Sequence, residues 1–354
     1  MNKRLLDIYT DYLITQTDQA TATGLSQLLE GAISHDQVTR FLHQKEFSSK
    51  DLWQYVKPEI RKHEQEKGGV FIVDDTIEEK PYTDENDTVC WHYSHAKGRC
   101  VKGINILSCL VRYGDFALPV AFEGIRKDLY FCDLKDKKEK RRSSISKNEL
   151  FRKMLEQASK NQVQFDYVLA DNWFGAKKNM EFIHYDLKKK FIFGMKSNRS
   201  VALSENERKE GQYQSLSSLE LKDNDAMTVW LKDLSFPVKT IKKVFKNENG
   251  STGVLYLVTN DLNLDADQGY DIYQKRWRVE EYHKSIKQNA SLARSPTKVP
   301  RSQRNHIFAS IVAYCKLEFL RAKTALNHFA LKYKLIIRAN QMAYQELQNL
   351  HASA

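Results

Sequence analysis

The segment DIYQKRWRVEEYHKSIKQ, residues 271–288, places one carboxylate among cations and a phenol at helical spacing. Taking about 100° per residue and Tyr273 as zero, Arg276 falls near −60°, Glu280 near −20° and Lys287 near −40°, an arc of about 60° along about 21 Å of helix. Lys284 and His283 flank that arc. Ile272, Val279 and Ile286, with Tyr282, make an apolar stripe elsewhere on the helix, so it can pack on a sheet while the charged stripe faces a groove. A single in-line Glu between Arg and Lys, with Tyr at the upper end, suits a groove that receives phosphates and binds metal at one carboxylate. A solvated face of ordinary ion pairs is the plainer alternative.

Such a helix needs a sheet beneath it. GGVFIVDDT (68–76) is an apolar run that follows paired glycines and ends in carboxylates. VKGINILSCLVRYG and ALPVAFEGIR read as the next two strands, with Gly114 and Asp115 in the turn between them. A helix over 146–162 leads into the strand FDYVLAD (165–171). Another helix over about 176–188 precedes the strand KFIFGMKS (190–197). This order predicts a mixed sheet covered by helices. Residues 198–250 are polar, with the short strands TVWL and VKTIKKVF and a turn at NENG, and read as an inserted β-rich segment. A strand follows at 252–260, then a long helix from Gln268 to Gln288, and helices fill most of 301–350. The charge run KDKKEKRR (135–142) reads as a mobile, solvated loop rather than a DNA contact.

Residues 1–64 read as helical. Leu5, Leu6, Tyr9, Tyr12 and Leu13 follow helical spacing. A second helix around Thr23–Glu30 ends near Gly31, and a third opens with Ser34 and Gln37 in a capping-box pattern. The pair fits a helix-turn-helix or an ordinary helical hairpin. The chain has 354 residues, 41% hydrophobic and 29% charged, which excludes a disordered protein, and its formal charge of +11 favours an anionic partner such as nucleic acid. Asp7 and Asp11 interrupt any signal-peptide core, and no run approaches about 18 uncharged apolar residues. Five cysteines, an odd and sparse set, are expected as free thiols in a reducing cytosol.

The spacing Tyr273-x2-Arg276-x3-Glu280-x6-Lys287 resembles the Tyr-Arg-Glu-Lys motif of bacterial insertion-sequence transposases, the "insertion sequence four" superfamily of DDE enzymes with a β-strand insertion. Four positions match without a shift. The family's first catalytic Asp follows an apolar strand and is often followed by Thr. Aligning FIVDDTIEEK on its Asp-Thr step makes Asp75 that residue, with Asp74 as a neighbour whose side chain points to the opposite face. The second Asp ends a later strand before a helix and another strand, which selects Asp171 in YVLADNWFGAKKNMEFI.

The resemblance implies an α/β, RNase H-like mixed sheet flanked by helices, with a β-rich insertion and helical N- and C-terminal regions. The expected organisation is a helical DNA-binding region over 1–64, a catalytic core over 65–197 and 252–300, the insertion over 198–251, and a C-terminal helical region over 301–354. It implies cut-and-paste transposition, with Asp75, Asp171 and Glu280 as catalytic and metal-binding carboxylates. Mg²⁺, replaceable by Mn²⁺, is expected as two ions per site. Tyr273, Arg276, Lys284 and Lys287 are expected to contact DNA. Trp173 and Trp277 either stack on a displaced base or, more plainly, pack in the core. The partners implied are double-stranded DNA, as terminal inverted repeats and target, and a second copy of the chain on that DNA. No membrane is involved and the site of action is the bacterial cytoplasm. A metal-dependent nuclease on the same fold and a catalytically silent, domesticated DNA-binding protein are the competing functions. Cys90, His92, His95 and Cys100 lie close in sequence, but strand alternation argues against a structural zinc site.

Overall fold

Val70–Val73 are buried to within 1% exposure, as a strand requires when neighbours cover both its edges and both its faces. They open the central strand of a computed structural model that describes residues 2–64, 68–135, 137–246 and 250–353. The chain begins with helices α1 (Lys3–Thr15), α2 (Ala22–Leu28), α3 (His35–His43) and α4 (Ser49–His63). Strands β1 (Val70–Glu79), β2 (Cys90–Ser94), β3 (Arg99–Tyr113), β4 (Phe116–Gly124), β5 (Leu129–Asp133) and β6 (Lys138–Arg142) follow. Then come α5 (Lys147–Lys160), β7 (Tyr167–Ala170), α6 (Lys177–Glu181), β8 (Lys190–Met195), β9 (Ser200–Ala202), α7 (Glu205–Glu210), β10 (Gln214–Ser215), β11 (Ala226–Leu231), β12 (Val238–Lys246) and β13 (Thr252–Thr259). Helices α8 (Ala266–Gln274), α9 (Arg278–Gln288), α10 (Pro300–Thr324) and α11 (His328–Ser353) complete the chain.

The sheet's inner order is β4-β3-β1-β7-β8. β3 pairs antiparallel with both β1 and β4, and Gly114, at φ +54°, takes the left-handed conformation in the tight β3–β4 turn. β7 pairs parallel with β1 and with β8, through crossovers that contain α5 and α6. An antiparallel meander joined to a parallel half in this order is the RNase H-like arrangement. The strands that follow β8 continue it. β13 pairs with β8, and β12, β11, β9 and β10 continue the same sheet outward.

The charge run departs from expectation. Lys138–Arg142 pair with Leu129–Asp133 as a hairpin, and the Arg141 guanidinium lies 4.2 Å from the Tyr130 ring centre. Cross-strand contacts of this kind hold a polar ribbon that hydrophobicity alone does not reveal. The expected long helix is also interrupted, because a 3₁₀ turn at Lys275–Trp277 separates α8 from α9. At the other end of the chain, α10 is buried along Ile307–Leu317 and packs against α1, α3, α4, β4 and α9. A helix enclosed on every side needs no polar face. The core therefore runs without a break from Tyr9, Leu13 and Val56 through Phe308 and Val312 into the sheet. Among the described residues, no helix is long and apolar enough to cross a membrane.

Candidate active site

The middle of β1 and the end of β7 bring the first carboxylates together. β1 and β7 run parallel with Ile72 opposite Leu169, so extending both strands by two residues sets Asp74 level with Asp171. Level residues on neighbouring parallel strands share a face of the sheet. Asp74 also lies opposite Ser108 on β3, and Ser108 Oγ is 3.4 Å from the Tyr282 hydroxyl of α9. Asp74 therefore faces α9. Asp75 pairs with Leu107 and points the other way, where the Lys147 ammonium at the start of α5 holds its Oδ1 at 2.7 Å. Ser146 and Glu149 form a capping box that fixes that end of α5.

Helix α9 seats itself by Val279, Tyr282 and Ile286, each fully buried, as its apolar stripe predicts. That seating turns Glu280 and His283 toward β1. One oxygen of Asp74, one of Glu280 and a ring nitrogen of His283 lie within 4.8 Å of one another. The Arg276 guanidinium spans the two acids, with Nη1 3.4 Å from Asp74 and 3.5 Å from Glu280. Asp171 lies outside this trio and accepts a 2.9 Å hydrogen bond from the Trp173 backbone N–H.

The acids oppose one another's ionisation. Burial, reinforced by the charge of Asp171, pushes the Asp74 carboxyl up to about 7, against the pull of Arg276 and of the Asp75 N–H. Burial also raises Asp171, opposed by its bond from Trp173 and by Arg276. A desolvated group of like charges is an electrostatic demand for a cation. His283 is held neutral, its pKa lowered to about 3 by burial and by the charge of Lys287. Its Nε2 is buried without a hydrogen-bond partner.

The remaining expected residues are placed as follows. Tyr273 is buried, its hydroxyl lying where a Cβ on Gly194 would come within 3.2 Å. Arg276 is occupied with the carboxylates rather than free at the surface. The half-buried Lys287 donates to the Ile77 carbonyl at 2.8 Å, and the exposed Lys284 sits over the Phe329 ring of α11. Trp173 and Trp277 are 50% and 60% exposed, which rules out core packing for both. Lys147 lies 4.9 Å from the Trp173 ring centre, so Trp173 adjoins both Asp171 and the Asp75–Lys147 pair. Beside Asp171, a groove is lined by Asn172, Trp173, Lys196, Arg199 and Lys232. Cys90 and His92 are buried on one face of β2, whereas Cys100 lies opposite the exposed Tyr93, so the four candidate zinc ligands do not converge.

Three features of the site lay beyond the sequence reading. Asp74 was legible only as a neighbour of Asp75, and Lys147 gave no signal. His283 gave one, standing three residues after Glu280 and hence on nearly the same helix face.

A family model described as DDE superfamily endonuclease matches residues 1–218. The chain belongs to the DDE superfamily endonucleases. A second model, transposase DDE domain, matches residues 141–316 and overlaps the first across β7 and β8. The DDE chain is thus a transposase-type nuclease. No curated protein matches it in sequence. Similar solved structures include endonuclease V from Bacillus subtilis, at 11% identity and TM-score 0.29, covering 80% of this chain and 98% of that one. Another is the Drosophila P element transposase strand transfer complex, at 9% identity and TM-score 0.30, covering 91% and 81%. DDE domains are metal-dependent, and the donor set fits a divalent cation: two carboxylates and a neutral imidazole converge, and a third acid adjoins them.

Proposed function

We propose that this DDE enzyme is a DNA transposase of the insertion-sequence-four type, which cleaves transposon ends and joins them to target DNA. The observation that carries the reading is the meeting of Asp74 and Glu280, from β1 and α9, beside Asp171 in a chain of the DDE family. Asp74, Asp171 and Glu280 would hold divalent metal, Mg²⁺ with Mn²⁺ as a substitute, in a pair of ions. Such ions supply Lewis acidity at the phosphate and a nucleophile at neutral pH.

The chain's own groups do the rest. Arg276 keeps Asp74 and Glu280 side by side although burial and like charge drive them apart. The cations Lys196, Arg199 and Lys232 give the DNA backbone a path beside Asp171. Trp173 and Trp277 offer exposed rings on which an unpaired base can stack. Asp75, neutralised by Lys147, supports the wall of the site near Trp173. After the first cut, the freed 3′-hydroxyl remains beside the same acids and serves as the nucleophile for joining. Two copies, one per end, assemble on DNA in the bacterial cytoplasm.

The test is incubation of the full chain with Mg²⁺ or Mn²⁺, a supercoiled target and duplexes carrying the inverted repeats that flank its coding region. Cleaved ends joined to target support the proposal. Cleavage without joined product identifies a nuclease, and end binding with no cleavage identifies a silent DNA-binding protein.

A further inference from the structure

We propose that His283 is a nitrogen ligand of the metal held by Asp74 and Glu280, raising that position's affinity for Mn²⁺ relative to Mg²⁺. The inference rests on reading those two acids as metal ligands.

The spacing is the first support. Glu280-x2-His283 puts a carboxylate and an imidazole on adjacent turns of α9 and on one face, and this Glu-x-x-His arrangement serves dinuclear metal sites in helical bundles. The second support is the convergence itself, for the three ligand atoms come from β1 and α9 and lie within 4.8 Å of one another. The third is that His283 is only 7% exposed and its Nε2 has no hydrogen-bond partner among the described residues. A buried ring nitrogen without a partner costs stability unless something else satisfies it.

The donor set has a consequence for ion choice. Mg²⁺ prefers oxygen and retains its waters, whereas imidazole suits the later divalent ions. An imidazole beside two carboxylates therefore gives a first-row transition ion, Mn²⁺ included, a gain that Mg²⁺ does not share.

The experiment adds Mn²⁺ alone to the full-length protein, uniformly labelled with ¹⁴N or with ¹⁵N-histidine. Electron spin-echo spectra and Mn²⁺ affinity are recorded for the wild type, His283→Gln and Glu280→Gln, with circular dichroism to check folding. The expected result is a histidine nitrogen coupling in the wild type that disappears in His283→Gln. Outer-shell partners of a ligand already contribute about tenfold or more to affinity. Loss of the ligand itself should thus weaken Mn²⁺ at least about tenfold while changing Mg²⁺ affinity little. Mn²⁺ binding that depends on Glu280 but carries no histidine coupling overturns the assignment of His283 and leaves the acidic site intact. Mn²⁺ binding indifferent to Glu280→Gln overturns both. A wild-type spectrum with bound Mn²⁺ and no histidine coupling overturns the assignment even if a variant misfolds.

Discussion

Asp74 and Arg276 meet at 3.4 Å, a strand-borne acid and a helix-borne guanidinium joined across the interface that brings β1 to α9. The same guanidinium reaches Glu280, so one cation orders two acids. Its side chain is only 12% exposed and has little surface left for a phosphate. Arg276→Ala is therefore expected to slow DNA cleavage by roughly ten- to a hundredfold, the usual effect of losing a group that orients metal ligands. DNA affinity, read by gel shift, should change by no more than about threefold. A large loss of affinity with an unchanged single-turnover rate would return Arg276 to direct phosphate binding.

Asp74 and Asp75 are adjacent in sequence but face opposite sides of β1, which makes them separable by mutation. Asp74→Asn removes a converging oxygen and should lower single-turnover cleavage by on the order of a hundredfold or more, as loss of a direct electrostatic stabiliser does. Asp75→Asn leaves the trio's ligand atoms in place and frees Lys147, so its cost should stay within about tenfold. The reverse ranking would restore Asp75 to the metal.

Trp173 and Trp277 are exposed, and neither contributes to the core. Alanine at either position should change folding stability by less than about 0.5 kcal/mol. If they stack on bases, each substitution should weaken binding to DNA ends with an unpaired nucleotide by about 1–3 kcal/mol. Denaturant melts and fluorescence titrations give the two readings, and a cooperative loss of stability would point to packing instead.

Lys196, Arg199 and Lys232 line the groove beside Asp171. Replacing one of them by Ala should lower DNA affinity without altering sequence preference, and reduce the slope of log affinity against log salt by about one. Titrations at several salt concentrations measure that slope. An unchanged slope at all three positions would place the DNA elsewhere.

Glu318 ties α9 to the C-terminal helices. Its buried carboxylate accepts from Arg278 at 3.1 Å, Arg321 at 2.7 Å, His328 at 3.0 Å and the Ala117 N–H at 3.0 Å. Burial alone would raise its pKa, but the bonds from His328 and Arg321 and the charge of Arg278 hold it down to about 2. A carboxylate depressed by folding contributes its full stability above its ordinary value of 4.5, and that contribution fades as pH falls toward about 2. Glu318→Ala should destabilise the fold by roughly 3–5 kcal/mol at neutral pH, because it strands the half-buried Arg278 and Arg321 and the buried His328. The gap between variant and wild type should narrow in acid melts over that window, and a constant gap would show that cavity formation is the cause.

The order of elements, the apolar stripe of α9 and the position of Glu280 follow from local sequence, since each depends on periodicity within a single segment. Gly114 and the capping pair Ser34–Gln37 were equally legible, because turns and caps are settled among near neighbours. The hairpin of Lys138–Arg142 was hidden, because its pairing with Leu129–Asp133 rests on side-chain contacts and not on an apolar pattern. Which of Asp74 and Asp75 faces α9 was hidden for a different reason. Alternation puts them on opposite faces of β1, but which face receives α9 is fixed only when Ser108 on β3 meets Tyr282. His283 becomes part of the acidic trio by the same step, since a helix has no inward side until it is packed. The sequence by itself determined which acids and bases were available and on which elements they ride. Only the tertiary structure decided which of them meet, because their meeting depends on strand register and on the face that each strand turns to its neighbour.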